Sequence, residues 1–104
     1  MALTHFTFGR ADASFGGALT PAMIAGTFSA EGIAPTGSNQ QTTATAPTGG
    51  SIKVCRVSTD TAVYVAFGSS PNAVTGTTAR VYVPANAIEY FVVNASDKAA
   101  VVTA

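Results

Sequence analysis

Apolar and polar positions alternate with a period of two along most of the second half of the chain, the spacing of strands with two distinct faces. The clearest block is residues 61–93, TAVYVAFGSSPNAVTGTTARVYVPANAIEYFVV. It holds three such runs, at 62–67, 80–84 and 88–93. In the first, Val63, Val65 and Phe67 share one face, and Ala62, Tyr64 and Ala66 share the other. The larger set is expected inside, with Tyr64 lying across the small residues of the second face. GSSPNAVTG separates the first run from the second, and PANA the second from the third; both are rich in turn residues. Val81 and Val83 are expected to point inward. Pro84 must end its strand or lie at an edge, because it has no N–H to donate to a ladder. In IEYFVV, Ile88, Tyr90 and Val92 alternate with Glu89, Phe91 and Val93, so both faces carry bulky groups.

The same reading extends in both directions. SIKVCRVS at 51–58 is a strand with two partly apolar faces, Ile52 and Val54 against Cys55 and Val57. STD then reads as a tight turn held by the Asp60 side chain, with 61–67 as the partner strand. NASD precedes a last strand, KAAVVT. Upstream, two short strands at 32–35 and 41–46 flank TGSN. Phe6 and Phe8 alternate with Thr7, which fits an edge strand or an extended arm with aromatic anchors. SFGGALTPAMIAG is too broken by glycine and proline for a stable helix beyond a turn at 21–25. The division expected is therefore an extended N-terminal arm over 1–30 and a β domain over 31–104. The fold class is all-β, a small β-sandwich or jelly-roll-like barrel.

Composition changes this picture in one direction. Only 10% of the 104 residues are charged, and five basic residues balance five acidic ones. A typical soluble domain has about 25% charged residues. Near-zero net charge favours association over solubility as a monomer. Twenty Ala and eleven Val supply most of the hydrophobic content, which suits thin sheets and close contacts better than a thick monomeric core. Strands with two apolar faces need cover on both sides, and in so short a chain another subunit could supply the second. Arg10, Lys53, Arg56, Arg80 and Lys98 are scattered singly, with no run of basic residues to suggest a nucleic-acid face. No stretch approaches a membrane-spanning length. A leader peptide is not expected either, since the longest uninterrupted apolar run within 11–30 is 22–25.

Chemistry is sparse. One histidine, His5, and one cysteine, Cys55, cannot make a Cys/His metal site. Asp12, Glu31, Asp60, Glu89 and Asp97 are dispersed, most of them at turns. Glu89 sits in mid-strand, where an ion pair with Arg80 or Lys98 is the expected role. The Gly-Gly pairs at 16–17 and 49–50 lack a phosphate-loop lysine. The reading is of a protein that is not an enzyme and takes no cofactor or metal.

Several short motifs give a resemblance. VAFG at 65–68 with Pro71 and Ala73, PAN at 84–86, EYF at 89–91 and KAAV at 98–101 resemble small virion proteins encoded among the head genes of tailed bacteriophages. The resemblance covers the last half to two-thirds of the chain, and residues 1–30 carry no part of it. It implies a capsid cement or decoration protein, a small β domain standing as a homotrimer on the outer surface of the capsid. Its partners would be its own copies and the major capsid protein, with no direct contact to nucleic acid or membrane. On that reading Tyr64, Tyr82, Tyr90 and Phe91 are the expected oligomer interface. Phe6, Phe8, Phe15 and Phe28 are the expected capsid-binding anchors of the arm, and removing 1–30 is expected to leave a folded oligomer that no longer binds shells. A tail, fibre or head–tail joining component is the alternative, and a receptor- or carbohydrate-binding module a further one.

Overall fold

The computed structural model describes residues 2–11, 29–48, 52–74 and 79–104. Among these residues eight strands follow one another: β1 (Thr4–Ala11), β2 (Ser29–Ile33), β3 (Gln40–Gln41), β4 (Ile52–Thr59), β5 (Val63–Gly68), β6 (Val81–Val83), β7 (Ala87–Val93) and β8 (Lys98–Thr103). They form two antiparallel four-stranded sheets, ordered β2-β1-β4-β7 and β3-β8-β5-β6. The fold is thus all-β, a two-sheet sandwich. The pairs β3–β8, β4–β7 and β5–β6 read as one long two-stranded ribbon. The ribbon rolls up so that β5 meets β8 and β4 meets β1, a jelly-roll winding.

The turns decide which sheet each strand joins. The sequence alone pairs 61–67 with 51–58, but residues 60–62 carry the chain out of one sheet and into the other. β4 pairs with β1 and β7, while β5 pairs with β6 and β8. The physical reason is local. Thr59 Oγ1 donates to the Thr61 carbonyl at 2.7 Å and accepts from the Thr61 N–H at 3.3 Å, bending the chain without closing a hairpin. Asp60 does not hold this turn; its carboxylate accepts the Leu3 N–H at 2.8 Å. At the other end of the chain the Ala104 N–H donates to the Ala62 carbonyl at 3.1 Å. Both ends are thereby fastened to one corner. Residues 84–86 make the second crossing, with Asn86 in the left-handed region at φ 61° and its N–H donating to Thr59 O at 2.9 Å. Asn is among the few residues other than Gly that adopt this conformation readily.

The core lies between the sheets. Phe6, Phe8, Cys55, Val57, Val63, Val65, Val83, Ala99 and Val101 are fully buried there, and the Phe67 and Phe91 rings meet at 5.0 Å. This overturns the arm reading of the first residues. Residues 4–11 are an inner strand, hydrogen-bonded to β2 on one side and β4 on the other. The period-two spacing of Thr4, Phe6 and Phe8 puts both rings on the inward face, and each contributes about 1.5–3 kcal/mol by burial. Phe6 and Phe8 are therefore core residues and not capsid-binding anchors, and removing 1–30 would remove an inner strand of the sandwich. Phe15 and Phe28 lie outside the described residues.

A smaller apolar layer sits on the outer face of the second sheet. Ala66, Ala100 and Val102 pack under Ala73, beside Tyr64. The alanines leave room for residues 69–74 to cross closely above them. Asn39 and Gln41 hold that segment: their amides donate to the Pro71 carbonyl at 3.2 and 3.0 Å, and Asn39 Oδ1 accepts the Ala73 N–H at 2.8 Å.

Candidate assembly surface

A sandwich of two open sheets has two flanks, and here they are built differently. β2 and β3 end the sheets on one side, and β6 and β7 on the other. The three residues 84–86 that join β6 to β7 span no more than the roughly 10 Å between packed sheets, so these two edges share a flank.

The β2/β3 flank is latched. Glu31 accepts from Thr43 N at 2.8 Å, Thr43 Oγ1 at 2.9 Å and Ala44 N at 3.0 Å. Ser29 Oγ donates to Thr45 O at 3.1 Å. Desolvation pushes the Glu31 carboxyl up, but these three hydrogen bonds outweigh it and hold its pKa below the ordinary value of 4.5. Further along, Thr42 and Ala99 exchange bonds, Thr42 N to Ala99 O at 2.8 Å and Ala99 N to Thr42 Oγ1 at 3.0 Å. The backbone of 42–46 is so drawn along this side.

The β6/β7 flank is open. Val81 (45%), Tyr82 (52%), Ile88 (51%), Tyr90 (42%) and Val92 (74%) are exposed, and the other exposed large hydrophobics among the described residues are Leu3 and Val74. β7 is paired with β4 on one side and, among the described residues, with no strand on the other. Exposed edges are normally blunted by shortness, proline, lysine or inward charge. β3 has two residues, and β6 has three and is followed by Pro84. β7 has seven, with Glu89 as its one charged residue. Its alternation sorts the side chains cleanly. Phe91 and Val93 point between the sheets, Glu89 shares their side but is exposed at the rim, and Ile88, Tyr90 and Val92 line the outer face.

Next to Ile88 the outer face dips into an open hollow of about 370 Å³, lined by Leu3, His5, Ser58, Thr59, Asp60, Asn86, Ala87 and Ile88. His5, Ser58 and Ile88 form one cross-strand row beneath it. On the other sheet, Tyr82 meets Tyr64 edge-on at 5.6 Å, and the Arg80 guanidinium lies 3.7 Å above the Tyr64 ring. Arg80 also donates to the Ala73 carbonyl at 3.4 Å. It is turned to Tyr64 and not to Glu89, the ion-pair partner suggested by the sequence. Cation–π contacts of this kind contribute about 0.5–1 kcal/mol at exposed sites.

The four residues expected at an interface thus part company. Tyr82 and Tyr90 are exposed on the open flank, on opposite sheets; Tyr64 lies one strand further in, under Arg80; Phe91 faces the core against Phe67. Ile88, Val92 and Glu89 also belong to this flank, and for the first two the Ile-x-Tyr-x-Val spacing at 88–92 carries the signal. Cys55 is buried, and burial pushes its thiol far up, so it stays protonated at neutral pH. It points into the core, whereas His5 lies on the outer face, so the two do not pair. Among the described residues no three His, Cys, Asp or Glu side chains gather as a metal centre would need. Compared with known family models, curated proteins and solved structures, the chain matches none.

Proposed function

We propose that this chain is a structural virion protein of the cement or decoration type, a self-associating β domain that sits on the outer surface of a phage head and bridges subunits of the major capsid protein. The observation that supports it most is the open flank. A seven-residue edge strand bordered by exposed Ile, Tyr and Val, in a chain without net charge, is poorly suited to life as a monomer. The motifs that resemble small head-gene products lie on the elements that build this flank and its support: 84–86 forms the corner between β6 and β7, and 89–91 lies on β7.

The test is binding to heads. Purified protein added to empty heads that lack it is expected to co-sediment to saturation, in proportion to the major capsid protein, and to raise the temperature at which the heads rupture. A small fixed copy number per particle would instead place the protein in the tail or the head–tail joint. Failure to bind heads at any concentration overturns the cement reading.

A further inference from the structure

We propose that the open flank is where copies of this chain meet, with β7 of one copy beside β6 of the next around an axis parallel to the strands. The proposal rests on the assembly reading above and names its contact. Among the described residues β6 and β7 have no strand partner on this side, they run in opposite directions about the 84–86 corner, and they carry the exposed apolar side chains. Turning a second copy about an axis along the strands keeps every residue at its own level and sets β7 antiparallel to β6 of that copy. Counting away from the corner, Val83 is level with Ala87, Tyr82 with Ile88, Val81 with Glu89 and Arg80 with Tyr90. Outer face then continues into outer face, and Tyr82 of one copy extends the Ile88–Tyr90–Val92 row of the other.

Charge separates this arrangement from its main rival. Arg80 and Glu89 are the two charged residues in 80–93. In the proposed contact they come within one residue of the same level, about 3.3 Å along the strand. They approach from opposite faces of the joint, so the attraction acts around the edge and not as a direct hydrogen bond. Pairing β7 with a second β7, centred on Tyr90, sets the two Glu89 carboxylates diagonally across one face, roughly 7–8 Å apart, and leaves Arg80 out of the contact. The rule that like charges across a strand pair are destabilising disfavours that geometry. The latched flank offers no comparable edge: its edge strands are shorter, five and two residues, and the backbone of 43–45 runs along it, bonded to the Glu31 and Ser29 side chains of β2.

Disulfide trapping tests the register. Within one chain, Tyr82 and Ile88 point to opposite outer faces of the sandwich, so cysteines there can join only between copies. The Tyr82→Cys/Ile88→Cys variant is expected to give covalently linked oligomers under mild oxidation, while Tyr82→Cys alone and Ile88→Cys alone give none; buried Cys55 stays silent. Crosslinking by Tyr90→Cys alone would reveal the symmetric β7–β7 pairing and overturn the proposal. So would an absence of linked species in the double variant, provided its thermal transition shows it to be folded. Sedimentation of the unmodified protein separates the two levels of the argument. A monomer that still saturates empty heads sinks this contact and leaves the cement reading standing; a crosslinkable oligomer that binds no head does the reverse.

Discussion

The two flanks of this sandwich solve the same problem in opposite ways. Every open sheet ends in strands whose outer backbone groups lack a ladder. On the β2/β3 side the chain supplies its own cover, as one carboxylate and one hydroxyl tie down the passing backbone of 43–45. On the β6/β7 side no strand among the described residues covers the edge, and the rim is lined with Val81, Tyr82, Ile88, Tyr90 and Val92. Edge exposure is therefore not a general consequence of a small chain. Among the described residues one edge is closed with polar atoms and the other is left apolar, which is why we propose the second as the side where copies meet.

The comparison can be broken from the frame outward. Phe6→Ala removes a fully buried ring from the strand beside β4 and should cost about 3–5 kcal/mol in urea unfolding. Both flanks should melt together; a variant that loses only its assembly would mean that β1 does not frame the core. Next comes the latch. Glu31→Ala leaves the Thr43 and Ala44 N–H groups without their acceptor, and a loss of about 1–2 kcal/mol is expected, with no change in oligomeric mass. A change in mass would place the assembly surface on the wrong flank.

A smaller effect is expected from pH. Because the folded-state pKa of Glu31 is lowered, its stabilising contribution is present above the unfolded value of 4.5 and disappears as pH falls through the lower folded value. Stability measured in urea between neutrality and strong acid should decline less steeply in Glu31→Gln than in the unaltered protein. Equal slopes would show that the latch carries no pH dependence. The smallest effect on the fold belongs to the open flank. Tyr90→Asp should alter unfolding by no more than about 0.5 kcal/mol, as surface changes do, yet abolish association in sedimentation. If the variant remains oligomeric, Tyr90 is not in the contact.

Much of the architecture could be read from side-chain alternation. Val63, Val65 and Phe67 do point inward, and β4, β5, β7 and β8 lie close to their expected positions. Local spacing could not tell which strands pair. STD has the composition of a hairpin turn, but Thr59 bends the chain across to the other sheet while Asp60 reaches for Leu3. The alternation at Phe6 and Phe8 held the right signal, and the broken segment after it argued for an arm; long-range pairing with β4 decided the matter. In the same way, two apolar faces on β7 implied two kinds of contact without saying which ring goes where. The register with β4 sets Phe91 opposite the buried Cys55, facing Phe67, and Tyr90 opposite Arg56 on the outer face. Several of the residues that carry the resemblance have structural roles of their own: Pro71 and Ala73 are buried on the 69–74 crossing itself, Ala73 against Ala66 and Ala100, and Asn86 makes a left-handed corner.

The corner that fastens both chain ends has a consequence at a larger scale. Leu3 is bonded to Asp60 and Ala104 to Ala62, and the β6–β7 corner lies at the same end through Asn86 and Thr59. Any ring of copies turned about the strand direction would have two unlike sides, one bearing Leu3, Asn86 and Ala104 of every copy and the other none of them. Such a ring would be a one-sided platform, and its orientation on a shell could be read by which side a label attached beside one of these residues exposes to antibody.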